Sequence, residues 1–183
     1  MEFRPLFVSE RLRLDAQTSD DRALFARWSH DSQYGRMLDD DPFFPMNDAT
    51  FERWVGQPSE QTGGHYAFMI VTRDGERRIG FCALMNLKWA SRTGMLAVGI
   101  GEPDARGKGY GHEALTMLLN FAFDELNLHR VGLTVMAYNA PAIRLYEKLG
   151  FTLEGRQREM VLRQSQYSDI LQYGLLSREW HKD

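Results

Sequence analysis

Three features of this sequence predict a single-domain α/β (α+β) fold with a mixed, mostly antiparallel sheet flanked by helices. Residues 66–72, 78–87 and 93–101 are short strand-like runs bounded by turn residues such as Asp74-Gly75, at the spacing of neighbouring antiparallel strands. From Tyr110 to about Leu126 the period changes, and Ala114, Leu115, Leu118, Leu119, Ala122 and Leu126 form one buried helical stripe. Residues 129–137 then alternate again through Val131, Leu133 and Val135. A strand, helix, strand crossover of this length implies a parallel pair.

The remaining elements follow in order. Residues 11–14 alternate and read as a first strand. Thr18-Ser19-Asp20-Asp21 offers an N-cap and first-turn acids for one helix over 18–34, with Leu24, Phe25 and Trp28 on one face. Asn47-Asp48 caps a shorter helix carrying Phe51, Trp54 and Val55, and 57–64 is loop. Asn139 opens a short helix that Gly150 closes as a left-handed C-cap. Residues 152–156 and 167–175 are expected as the last two strands, joined through Arg163-Gln164-Ser165-Gln166. No repeat or linker divides the chain, so residues 1–183 are expected to form one domain.

Composition narrows the function classes. With 183 residues, 43% of them apolar, the chain can bury a sizeable core. The one cysteine, Cys82, rules out an internal disulfide and a multi-cysteine metal site, and its apolar surroundings read as a buried strand thiol. A net charge of −3 gives no support for nucleic-acid binding, which depends on clustered cations, but suits a cationic amine. No apolar run approaches the roughly 20 residues of a membrane span, and 1–17 carries charges throughout. The expectation is a cytoplasmic protein with no membrane partner and no metal.

The most informative segment is Val98-Gly99-Ile100-Gly101-Glu102-Pro103-Asp104-Ala105-Arg106-Gly107-Lys108-Gly109-Tyr110-Gly111-His112. A strand enters a glycine-rich turn that opens directly into the amphipathic helix. Glycine lets the main chain adopt angles closed to other residues and approach a ligand, and the amides of a first helical turn lack internal partners. Such a turn suits phosphate oxygens. It is not a nucleotide P-loop, because Gly109 follows Gly107-Lys108 where a Ser or Thr is needed. Nor is it a dinucleotide fingerprint, since His112 stands where a further glycine belongs and no ribose-binding acid follows at the right distance.

The order Arg-x-x-Gly-x-Gly at Arg106, Gly109 and Gly111 resembles the pyrophosphate-binding motif of the GCN5-related N-acetyltransferases, abbreviated GNAT. A second segment agrees: Asn139-Ala140-Pro141-Ala142-Ile143-Arg144-Leu145-Tyr146-Glu147-Lys148-Leu149-Gly150-Phe151 is similar to the family's helix that starts at Asn, carries Tyr and ends in Gly-Phe. The resemblance spans about 9–176. Within the family it is nearest the branch of ribosomal-protein N-terminal acetyltransferases and spermidine acetyltransferases.

The resemblance implies two parallel strands that splay apart around the pantetheine arm of acetyl-CoA, the co-substrate. It implies that Arg106, Gly107, Lys108, Gly109, Tyr110 and Gly111 hold the phosphates, that the main chains of Val98 and Ile100 pair with pantetheine as an added strand would, and that Asn139 reaches the cofactor. Tyr146 would be the general acid, because a phenol of pKa about 10 stays protonated beside a thiolate of about 8.5. An alkylamine of pKa about 10.4 also needs a base. Glu102, directly after the cofactor strand, is the first candidate, ahead of His65 and His112. Asp39-Asp40-Asp41, beside Phe43-Phe44-Pro45, lies where relatives form the acceptor side, while Trp28, Trp54 and Trp89 read as packing residues.

The expected reaction is transfer of acetyl to a primary amine by direct attack, the acceptor being a protein N-terminus, a polyamine or another small amine. Two alternatives stand beside it: a non-catalytic acyl-CoA-binding module, and an acyl-CoA hydrolase. A homodimer is compatible with the resemblance, since members of this branch often dimerise.

Overall fold

In a computed structural model of the chain, residues 5–47 and 64–180 are described. Residues 48–55 of the helix expected to start at Asn47-Asp48, Trp54 included, and most of the 57–64 loop lie outside them. Among the described residues seven strands form one sheet in the order β1-β2-β3-β4-β5-β7-β6. They are β1 (Leu12–Ala16), β2 (Tyr66–Thr72), β3 (Arg78–Lys88), β4 (Thr93–Ile100), β5 (Arg130–Met136), β6 (Thr152–Arg163) and β7 (Gln166–Leu176). Every neighbouring pair is antiparallel except β4 and β5. That parallel pair follows from the crossover through α3 (Tyr110–Asn120), which runs on as a π-helical turn, Phe121–Glu125.

Alternation along the strands divides the core between the two faces of the sheet. Leu12, Leu14, Ile70, Cys82, Leu84 and Leu96 pack with Ala114, Leu115, Leu118, Leu119 and Ala122 of α3. Met69 and Val71, one residue out of phase with Ile70, pack with Trp28 on the opposite face, joined by Leu24, Phe25, Tyr34 and Phe81. Cys82 is fully buried, and burial pushes its thiol up.

The single helix expected over 18–34 is instead two, α1 (Arg22–Trp28) and α2 (Ser32–Leu38), after a short 3-10 turn at Ser19–Asp21. Asp31 is the reason. Its side chain accepts from the amides of Gln33 and Tyr34, which makes it the N-cap of a new helix in mid-run. Strand β6 continues to Arg163, well past the expected 156, by passing through register shifts between Leu153 and Gly155 and between Gln157 and Val161. The helix after Asn139, α4 (Ala140–Lys148), ends as expected: Gly150 takes φ +91°, and the amides of Gly150 and Phe151 return to the carbonyls of Glu147 and Tyr146.

Candidate active site

The site forms where β4 and β5 part. They pair only over Thr93–Met95 and Arg130–Gly132, so among the described residues the rest of β4 has no strand on its β5 side. Arg106 Nε donates to the Ile100 carbonyl at 2.9 Å, while the Gly99 carbonyl is the one turned toward Gly80 of β3, so the main chain of Ile100 faces the other edge. Main-chain orientation alternates along a strand, so Val98 faces the same open edge. On the face that carries α1 and α2 the cover is close. A Cβ on Gly99 would stand 2.4 Å from the Tyr34 hydroxyl, which is buried with no hydrogen-bond partner among the described residues, and 2.7 Å from Phe81.

Beyond β4, Pro103–Ala105 makes a 3-10 turn and Gly107 (φ +74°) and Gly109 (φ +84°) take left-handed conformations, with Gly109 as N-cap of α3. No described group accepts from the amides of residues 107–112; the first helical bond runs from the Glu113 amide to the Gly109 carbonyl. These amides form an exposed anion site at a helix start. Gly111 has another reason to be glycine. It is helical, and a Cβ there would stand 3.3 Å from Leu145 on α4, so its smallness lets α3 and α4 come together.

Arg106 does not extend toward this turn. Its guanidinium donates to the carbonyls of Ile100 and Gly101 and to Asp31 at 2.7 Å, and lies 4.9 Å from the Tyr34 ring centre. It ties α2 to the end of β4. The Lys108 side chain stays exposed.

Glu102 is buried, and its carboxylate accepts from Arg27, from the Trp28 indole at 2.9 Å and from Arg77 at 2.9 Å. Burial alone would raise its pKa, but the Trp28 and Arg77 hydrogen bonds and the charges of Arg27 and Arg77 bring it below the ordinary range. That arrangement suits an anchor for α1 and the 3-10 turn, and is the reverse of what a proton acceptor needs. Burial lowers the pKa of His65 and, with help from Lys148, of His112, the third residue of α3.

Tyr146, 6% exposed, sits edge-on to Phe151 in the same apolar cluster as Val98 and Ile100. Its hydroxyl has no hydrogen-bond partner among the described residues, and burial pushes its pKa up to about 12. Asn139 caps α4 by accepting from the Ala142 amide, and its Nδ2 donates to the Met37 carbonyl at 2.9 Å. With Tyr138 donating to the Arg36 carbonyl, it fastens the end of α2 to the end of β5, across the sheet opening. The Asp39-Asp40-Asp41 main chain follows, its three carbonyls accepting from Arg163 of the β6–β7 hairpin. Burial, and then Asp40, raise the Asp39 carboxyl. Trp28 is a packing residue, whereas Trp89 is 44% exposed.

Sequence reasoning missed Arg11, Ser9 and Glu113. Glu113 accepts from Ser9 Oγ at 2.6 Å, the Arg11 amide at 2.9 Å and Arg11 Nε at 2.8 Å, and Arg11 also donates to the Lys108 carbonyl. These partners lie 97 to 104 residues apart, so no local spacing could have revealed them.

A turn of free amides that can take a diphosphate opens here beside an unpaired strand edge that can take an amide-bearing arm, as coenzyme A requires. Fold and site together thus define an acyl-CoA-dependent acyltransferase. The family model described as acetyltransferase (GNAT) domain matches residues 11–152, and the chain belongs to that family. It is 30% identical over 174 residues, covering 95% of this chain and 94% of the other, to the SPbeta prophage-derived uncharacterized N-acetyltransferase YokL of Bacillus subtilis (strain 168). It is 29% identical over 112 residues, 61% of this chain and 64% of the other, to a spermidine N(1)-acetyltransferase of Vibrio cholerae. Its fold matches the crystal structure of the spermidine N-acetyltransferase from Vibrio cholerae in complex with CoA and spermine, with a TM-score of 0.83 and 22% identity over 93% of this chain and 98% of that one. The protein is an N-acetyltransferase, and acetyl-CoA is its co-substrate.

Proposed function

We propose that this protein acetylates a primary amine of the polyamine class in the opening between β4 and β5. The carrying observation is the run of amides at 107–112, unpartnered among the described residues, which sits beside the open edge of β4. In this reading Gly107, Lys108, Gly109, Tyr110 and Gly111 take the diphosphate through their main chains. Val98 and Ile100 hold the pantetheine amides, and Tyr146 gives its proton to the departing thiolate. Arg106, Asn139 and Glu102 act at one remove: Arg106 and Asn139 set the frame of the opening, and Glu102 pins α1 against the turn that leads to the glycines.

The amine enters from the α1–α2 face, opposite α3 and α4. Asp39, Asp40 and Asp41 lie there, and the crowded Asp39 carboxyl gains from a cation brought near it. Relatives that match this chain include spermidine N(1)-acetyltransferases of Vibrio cholerae and Escherichia coli as well as a putative ribosomal N-acetyltransferase of Bacillus subtilis, and the acidic run at 39–41 tips the choice toward a polyamine. Assembly into an oligomer belongs to the same proposal, since a Vibrio cholerae spermidine N-acetyltransferase of like fold is described as dodecameric. Among the described residues, no helix is long and apolar enough to cross a membrane.

The test is thiol release from acetyl-CoA with a panel of polyamines, peptides and aminoglycosides. Release that depends on spermidine or spermine supports the proposal. Release without any amine supports hydrolysis, binding without release a non-catalytic module, and release with peptides alone a protein N-terminus as acceptor.

A further inference from the structure

The phosphate turn is braced from outside by a residue far away in sequence. Arg11, at the entry to β1, spans two groups with one planar guanidinium. Its Nε and Nη2 meet Glu113 Oε2 at 2.8 and 2.7 Å, and its Nη1 donates to the Lys108 carbonyl at 3.1 Å. The guanidinium carbon lies 4.9 Å from the Tyr110 ring centre, and Nη2 would stand 3.5 Å from a Cβ on Gly109. Glu113 is itself held by Ser9 Oγ and the Arg11 amide, and it sits in the first turn of α3. The fork therefore locks the Lys108 carbonyl to the start of the helix.

That lock has a directional result. In a trans peptide the carbonyl and the following N–H point opposite ways, so fixing the Lys108 carbonyl toward Arg11 aims the Gly109 N–H away from it, toward the free side of the turn. Lys108 is flanked by two left-handed glycines, Gly107 and Gly109, whose wide conformational freedom would otherwise let the peptide between 108 and 109 rotate.

We propose that Arg11 is a positioning residue for the coenzyme's diphosphate: by gripping Glu113 and the Lys108 carbonyl in one fork, it sets the direction of the Gly109 amide. The proposal rests on the reading that amides 107–112 hold the diphosphate. Its signature differs from that of a plain cation. Lysine keeps the charge but lacks the rigid two-sided fork, so Arg11→Lys fails nearly as badly as Arg11→Gln.

The experiment compares acetyl-CoA with acetyl-pantetheine, a thioester donor that lacks the diphosphate. In both Arg11 variants KM for acetyl-CoA rises about tenfold, the scale of one lost hydrogen bond, with kcat within about twofold of the unsubstituted enzyme. kcat/KM for acetyl-pantetheine stays unchanged. Glu113→Gln, which leaves Arg11 its charge but weakens its anchor, shows the same pattern in smaller degree and replaces either Arg11 variant that fails to fold. Arg11→Lys with an unaltered KM, or an equal loss on both donors, overturns the positioning role. An unsubstituted enzyme that turns over both donors with equal kcat/KM instead overturns the diphosphate reading beneath it, before any variant is compared.

Discussion

Replacing Tyr146 by Phe separates chemistry from packing, because the hydroxyl contributes to only one of them. The ring is 6% exposed and packs edge-on to Phe151 with centroids 5.9 Å apart, contacts that phenylalanine keeps. The hydroxyl has no hydrogen-bond partner among the described residues, so its removal should change stability by less than about 1 kcal/mol. Loss of a general acid lowers turnover by about 10²-fold or more, equivalent to roughly 2.7 kcal/mol of barrier. Thermal melting and thiol release at saturating acetyl-CoA and amine read the two quantities side by side, and KM for acetyl-CoA should stay put. The pH profile adds a sign. Burial holds the phenol at about 12, so the donor remains protonated and its own ionisation removes no activity below about pH 11. The rate should instead rise with pH as the amine loses its proton. A turnover in Tyr146→Phe within twofold of the unsubstituted enzyme, or a melting point that drops by many degrees, refutes the reasoning.

Three further substitutions test other parts of the account. Gly109→Val forces a branched side chain into a φ of +84° and crowds the phosphate amides, so acetyl-CoA affinity measured by calorimetry should fall below detection while the fold persists. Glu102→Gln keeps turnover within a few-fold but lowers stability by about 1–3 kcal/mol in chemical denaturation; a hundredfold loss of rate with an intact melting curve would return Glu102 to the role of base. Because its folded pKa is depressed, Glu102 stabilises the fold above the ordinary carboxylate range, about 4.3, and that contribution disappears as pH falls through the folded value. The stability of Glu102→Gln should therefore fall less steeply on acidification than that of the unsubstituted enzyme. Gly101→Ala places a Cβ 2.0 Å from the Trp28 indole, so the tryptophan must shift, and melting should register a loss of about 1–3 kcal/mol.

Much of the fold was legible because the strands carry their own signal. Strand-like runs between turn residues located β2 to the residue and set β3 and β4 to within one, and the apolar stripe from Ala114 to Ala122 placed α3 on the sheet. Errors arose where a local hydrogen bond competes with periodicity. Asp31 breaks the 18–34 run by capping a second helix, a choice available to any Asp inside a helical pattern. Strand β6 extends through an exposed and bulged stretch, 157–160, where no apolar alternation marks it.

The candidate site divides along the same line. Gly107 and Gly109 could be read from sequence because glycine takes a left-handed backbone at the least cost, and the Schellman close at Gly150 was visible for the same reason. The orientation of the charged side chains could not. Arg106 belongs to the motif yet turns inward to Asp31, and Glu102 follows the cofactor strand yet is enclosed by Arg27, Arg77 and Trp28. Arg11 and Glu113 meet only because the first strand starts beside the helix that begins at residue 110.

The most direct test of the phosphate grip is a titration of the isotope-labelled protein with coenzyme A, followed through its backbone amide resonances. Those of Gly107, Gly109 and Gly111 should move strongly with coenzyme A and little with pantetheine, which lacks the diphosphate. Shifts of equal size with both ligands, or resonances that stay in place while binding is detected elsewhere, would contradict the account.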